Sequence, residues 1–135
     1  MQSKAVLTST EIDLILAAAR REAETNNWAV TIAIVDDGGH PLGLLRLDDC
    51  APVSAYIATE KARTAALGRR ESRVYEEMIN GGRTSFLSAP VLQGTLEGGV
   101  PVIVGGQTIG AVGVSGVKSN QDAQIAMAGI AALAS

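Results

Sequence analysis

The chain contains one histidine, His40, and one cysteine, Cys50, so any imidazole or thiol chemistry falls on those two positions. His40 lies in "VDDGGHPLG", residues 35–43. A neutral imidazole offers a nitrogen lone pair near neutral pH and can ligate a metal or a haem iron. The flanking glycines also read as a tight turn, which needs no imidazole. A conventional zinc site gathers several ligands. Here it would have to recruit Asp36, Asp37, Asp48 or Asp49, with no cysteine pair and no second histidine. Asp36 and Asp37 are adjacent in a strand-like run and should point to opposite faces, so turn chemistry is expected of them rather than an acid–base pair. Cys50 has only the distant His40 as a base, a weak arrangement for a nucleophile.

The second stretch with chemical content is "TEKARTAA", residues 59–66. On a helix Ile57, Lys61, Thr64 and Gly68 share one face, and Glu60 can pair with Arg63 or Thr64 beside it. Lys61 and Thr64 could then offer a cation and a hydroxyl to a carboxylate-bearing ligand. The competing reading has Lys61 running its stem along apolar surface with its amine in water. The glycine-rich "GGVPVIVGGQTIGAVGVSG" fails as a phosphate loop, because it lacks GxxxxGK[ST] and its glycines fall within strands and turns. A nucleophile elbow is absent as well.

These residues must be held by a single domain spanning residues 1–135. The length suffices for one core, and 47% hydrophobic against 19% charged residues predicts a folded chain. Much of the apolar content is Ala and Val, with only 3% aromatic, so elements should pack closely. A net charge of -3 without a basic run argues against nucleic acid as a partner. No apolar run is long enough to span a bilayer. No targeting segment is visible, and a lone cysteine fits a reducing compartment, so a cytoplasmic location is expected.

The spacing predicts a helix from about Thr8 to Asn26, opened by a capping box of Thr8 and Glu11. A hairpin should follow, residues 30–36 with 42–47. A helix from Pro52 to near Gly68 carries a stripe of Ala51, Ala55, Ala58, Ala62 and Ala65. A shorter helix is expected over 71–79. Residues 83–97 read as irregular chain with a short strand. "VPVIV" and "QTIGAVGVS" form a second hairpin around Gly105–Gly106. Ser119 and Asp122 then cap a last helix over 121–133. Strands joined by tight turns, with helices around them, define an α+β fold.

Taken together, "VTIAIVDDGGHPLGLLRLD", "APVSAYIATEKARTAALG", "LEGGVPVIVGGQTIGAVGVSG" and "NQDAQIAMAGIAAL" resemble the GlcG/HbpS family, which includes the C-terminal domain of PduO-type proteins. The resemblance spans nearly the whole chain. It implies a profilin- or PAS-like fold, with a five-stranded antiparallel sheet flanked by helices and assembled as homo-oligomers, dimers or larger rings. It also implies a small-molecule ligand, with haem or a related tetrapyrrole the leading cofactor. The family's "DxGGH" histidine corresponds to His40, and its "EKARTA" motif to Glu60, Lys61, Ala62, Arg63, Thr64 and Ala65. The expected ligand-binding set is therefore His40, Lys61, Arg63 and Thr64, with His40 as haem-iron ligand or pocket polar group. Two alternatives stand beside it. One is an enzyme or accessory protein for a small carboxylate or diol, with Lys61 as electrophile or acid and His40 as base. The other is an assembly module without a ligand.

Overall fold

A computed structural model of the chain describes residues 1–134. The first helix, α1, runs Ser9–Thr25. The Glu11 carboxylate reaches back to the Thr8 hydroxyl at 2.8 Å and the Thr8 amide at 3.2 Å. Those bonds from Thr8 hold the Glu11 carboxyl below its ordinary value. Ile15, Ala19 and Ala23, spaced one helical turn apart, form its buried face.

Strands β1 (Thr31–Asp36), β2 (Pro41–Arg46), β3 (Gly99–Val104) and β4 (Gln107–Ser115) form one antiparallel sheet in the order β2-β1-β4-β3. Ile32 and Ile34 pair with Val114 and Val112 at its centre. These four join Val30 and Val102 in a core closed by α1 and by Ile125 and Ala126 of helix α4 (Ser119–Ala131). On the opposite face Val35 and Ala111 meet Ala62, Ala65 and Ala66 of helix α2 (Val53–Gly68). Cover on both faces explains why β1 reads as an unbroken apolar run.

The five-stranded expectation is corrected to four strands among the described residues. Residues 83–97 supply no strand: they contain a 3-10 helix, Thr84–Ser88, and irregular chain. The reason is local. Gly94 presses on the backbone of Glu60 and Lys61, and its amide bonds to the Thr64 hydroxyl at 3.0 Å instead of to a neighbouring strand. Helix α3 (Ser72–Asn80) matches the expected short helix. The last helix begins earlier than expected, and Ser119 and Asp122 do not cap it as a pair. Ser119 bonds to Glu97 at 3.4 Å, while Asp122 turns inward.

Helix α2 lies unusually close to the sheet. A Cβ on Gly113 would collide with the Ala58 carbonyl, and one on Gly99 with the Lys61 carbonyl. Small residues on both partners allow this contact, so the alanine stripe and the strand glycines are two halves of one interface. Gly113→Ala is therefore expected to destabilise the fold by about 1–3 kcal/mol through overpacking. Thermal or urea unfolding measures it.

Candidate functional site

The turn between β1 and β2 is organised by one carboxylate. Asp36 Oδ1 accepts the backbone N–H groups of Gly38 and His40, each at 2.9 Å. The same oxygen lies 3.1 Å from His40 Nδ1, and Oδ2 lies 3.3 Å from it. A ring nitrogen facing a carboxylate carries the proton, which leaves the Nε2 lone pair available. The His40 side chain is 78% exposed, and among the described residues no hydrogen-bond partner takes Nε2. Burial alone would raise the Asp36 carboxyl. The amides of His40 and Gly38 and the His40 ring outweigh it and hold the group below its ordinary value. Asp37 points elsewhere and pairs with Lys4, so the adjacent acids diverge.

Arg63 joins this turn to α2. Its Nε donates to the Gly39 carbonyl at 3.4 Å, and its Nη1 pairs with Glu60 Oε1. Gly39 has φ +80°, and a Cβ there would come within 2.8 Å of the Arg63 side chain. The glycine serves both the left-handed turn and the contact. Glu60 Oε2 is enclosed without a hydrogen bond, so half of that carboxylate is uncompensated by protein.

Lys61 and Thr64 lie inside. Lys61 is 3% exposed, and its ammonium donates to the Val114 carbonyl at 2.9 Å and to Asp122 Oδ2 at 3.1 Å. Neither the ligand-facing reading nor the amine-in-water reading describes it, because the close packing of α2 carries its side chain through to the start of α4. Asp122 also accepts the Val117 amide at 3.1 Å. Burial pushes the Asp122 carboxyl up, against the opposing pull of Lys61 and the Val117 amide. Thr64 is fully buried, its hydroxyl receiving the Gly94 amide. The four expected residues thus divide: His40 and Arg63 meet at one surface turn, while Lys61 and Thr64 hold α2 to its neighbours.

Sequence reasoning missed Asp122 as the partner of Lys61, since 61 positions separate them. An aspartate at the head of an otherwise apolar helix was the available signal. It also missed Asp36 as the group that orients His40, although their separation of four residues across a turn allows it. Cys50 is buried beside the hydroxyls of Ser54 (3.3 Å) and Thr31 (3.7 Å). Burial would raise its thiol, but bonds from Ser54, Thr31 and Arg46 bring it below the ordinary value.

The fold and the turn define a class: a single-sheet α+β domain whose lone imidazole is aimed outward by a carboxylate. The chain belongs to the HbpS-like family, described as haem degrading protein HbpS-like, whose model matches residues 7–131. It is 62% identical over 115 residues to Protein GlcG of Escherichia coli K12, covering 85% of each chain. It superposes on the Klebsiella pneumoniae protein ORFY with a TM-score of 0.92 at 28% identity, covering 100% of this chain and 95% of that one. A PduOC:haem complex matches with a TM-score of 0.86 at 28% identity, over 95% of both chains. No helix among the described residues is long and apolar enough to cross a membrane.

Two expectations follow. Lys61→Met leaves the Asp122 carboxylate buried without its counter-ion and should cost about 3–5 kcal/mol. Lys61→Met combined with Asp122→Asn should recover much of that loss, because no buried charge remains. Unfolding curves of the wild type and both variants test this. Separately, a depressed folded-state pKa stabilises above the unfolded value and is lost as pH falls through the folded one. The Asp36 contribution is therefore present at neutral pH and disappears only below the ordinary carboxylate range. The amide resonances of Gly38 and His40 should titrate together there, and a midpoint above that range would contradict the geometry.

Proposed function

We propose that the chain is a haem- or tetrapyrrole-binding protein acting as a homo-oligomer, with His40 Nε2 as the iron ligand. The observation that carries this reading is the Asp36–His40 pair. A carboxylate on Nδ1 is the usual support of a metal-ligating histidine, fixing the orientation and tautomer of the ring. The donor set suits haem better than a bare ion. Among the described residues no group of three or more His, Cys, Asp or Glu side chains converges as a metal site. Haem brings four of its own nitrogens and needs only an axial ligand from protein. Leu42 and Leu44, 36% and 51% exposed on edge strand β2, provide apolar surface beyond the turn. Arg63, bonded to the Gly39 carbonyl and paired with Glu60, is the cation this reading assigns to an acidic substituent. Lys61 and Thr64 act in this reading through the position of α2. When bound, haem would supply redox or oxygen chemistry, and this chain would supply the ligand and its orientation. A lone free cysteine suits a reducing compartment, and cytoplasmic residence is part of the proposal.

The acid–base alternative loses its support, because the Lys61 amine is enclosed while His40 faces solvent. An assembly module without a ligand keeps one observation in its favour: Asp36 satisfies the turn amides with no ligand present. Hemin titration separates the two. The haem reading expects a Soret shift that His40→Ala abolishes and that Asp36→Asn weakens by about 10–100-fold in affinity. No shift, or equal binding by His40→Ala, overturns it.

A further inference from the structure

We propose that the cleft between the segment ahead of α1 and the β3–β4 turn binds the phosphate group of a small phosphate ester, with Arg69 as its anchor. The site is separate from the haem reading and uses none of its residues.

Three stretches far apart in sequence close this cleft: Gln2 and Lys4 before α1, Arg69 just past α2, and Gln107 and Thr108 opening β4. It encloses about 360 Å³, at the small end of ligand cavities, which run roughly 300–1,000 Å³. The polar groups around it are donors: two cations, two amides and a hydroxyl. Among the described residues no Asp or Glu lines it. On a chain of net charge -3 this is a local reversal of sign, and it favours an anion. Lys4 is paired with Asp37. Among the described residues no hydrogen bond or ion pair takes the Arg69 guanidinium or the side chains of Gln2, Gln107 and Thr108.

The conformation of Arg69 is unfavourable for an arginine. Its backbone is left-handed, φ 56° and ψ 36°, at the end of α2. Its amide and that of Arg70 return to the carbonyls of Ala66 and Ala65 at 3.3 and 3.2 Å. Glycine is the ordinary residue at such a helix stop. Gly68, one position earlier, meets a different need, since a Cβ there would collide with the Tyr75 hydroxyl. An arginine in glycine's place contributes no polar side-chain contact to the fold. It does set a cation beside the cleft, and unfavourable backbone of this kind concentrates at functional sites.

The donors distinguish among anions. A guanidinium fork engages two oxygens of one group, and ammonium or hydroxyl donors take further oxygens singly. A phosphate ester presents three terminal oxygens to donors on different sides. A planar carboxylate presents two and would leave part of the set idle. The cleft exceeds what a phosphate ion fills, and Ile103, 56% exposed, offers the esterified carbon group an apolar contact. A nucleic-acid backbone would need a run of cations, and only one here is unpaired.

Proton–nitrogen NMR of the labelled protein, titrated with inorganic phosphate, phenyl phosphate or acetate at constant ionic strength, tests the assignment. Inorganic phosphate should move the Arg69 and Gln107 amides saturably, with a Kd on the order of 1 mM. Phenyl phosphate should bind more tightly, and acetate about tenfold more weakly. Arg69→Gly keeps the helix stop, because glycine adopts the left-handed backbone without strain, and should weaken phosphate by about tenfold or more. Arg70→Gln should bind as the wild type does, since that guanidinium is committed to the Gly68 carbonyl at 3.3 Å and to the Tyr75 ring. Shifts that grow without saturating mark an adventitious ion only and overturn the site. Equal binding by Arg69→Gly, or an equal loss in Arg70→Gln, overturns it as well. Acetate as tight as phosphate overturns the choice of anion, and inorganic phosphate tighter than phenyl phosphate overturns the ester. The Soret titration reads the haem proposal independently.

Discussion

The close approach of α2 to β3 and β4 is the constraint from which the rest of the structure follows. Gly113 and Gly99 on the strands, with Ala58 and Ala62 on the helix, let the two backbones meet where ordinary side chains would hold them apart. Gly94 repeats the arrangement with the connecting chain, held by Thr64. One helix is thereby locked on three sides. Its remaining stripe faces outward, and its middle reaches the turn that carries His40.

That proximity also sets the fate of the charges. Lys61 has no route to solvent, so it must find compensation within the protein, and it does so at Asp122 and Val114. A buried pair of this kind is a poor source of net stability, since desolvation offsets much of the attraction. It is an effective register device, because any shift of α2 against α4 strands a charge in the interior. Arg63, two positions along, emerges on the other side and settles on Glu60 and the Gly39 carbonyl. The "EKARTA" segment therefore performs opposite tasks at neighbouring residues: one cation fixes the interior and the next supports a surface turn.

Local patterns were legible in the sequence wherever the physics was local. The Thr8–Glu11 box, the β1–β2 hairpin and the Ala58, Ala62 and Ala65 part of the alanine stripe appear as their spacing implied, whereas Ala51 precedes α2 and is exposed. The fifth strand failed because residues 84–88 pack on α3 and residues 93–96 lie against α2, tertiary contacts that no period records. The Ser119–Asp122 cap failed for the same reason, since Asp122 is claimed by a lysine 61 positions away. At the candidate site the histidine was visible, but its orienting partner was not. Two adjacent aspartates in a turn look alike on paper, and only the geometry separates Asp36, bonded to His40, from Asp37, bonded to Lys4.

Everything proposed for function depends on which nitrogen of His40 is left free. Because the chain has a single histidine, a long-range proton–nitrogen NMR spectrum of the uniformly labelled protein reports one imidazole without ambiguity. For the neutral ring the structure predicts a protonated Nδ1 and an unprotonated Nε2 with its lone pair outward, a state that Asp36→Asn weakens. A neutral ring protonated at Nε2, or one exchanging freely between both tautomers, would contradict it.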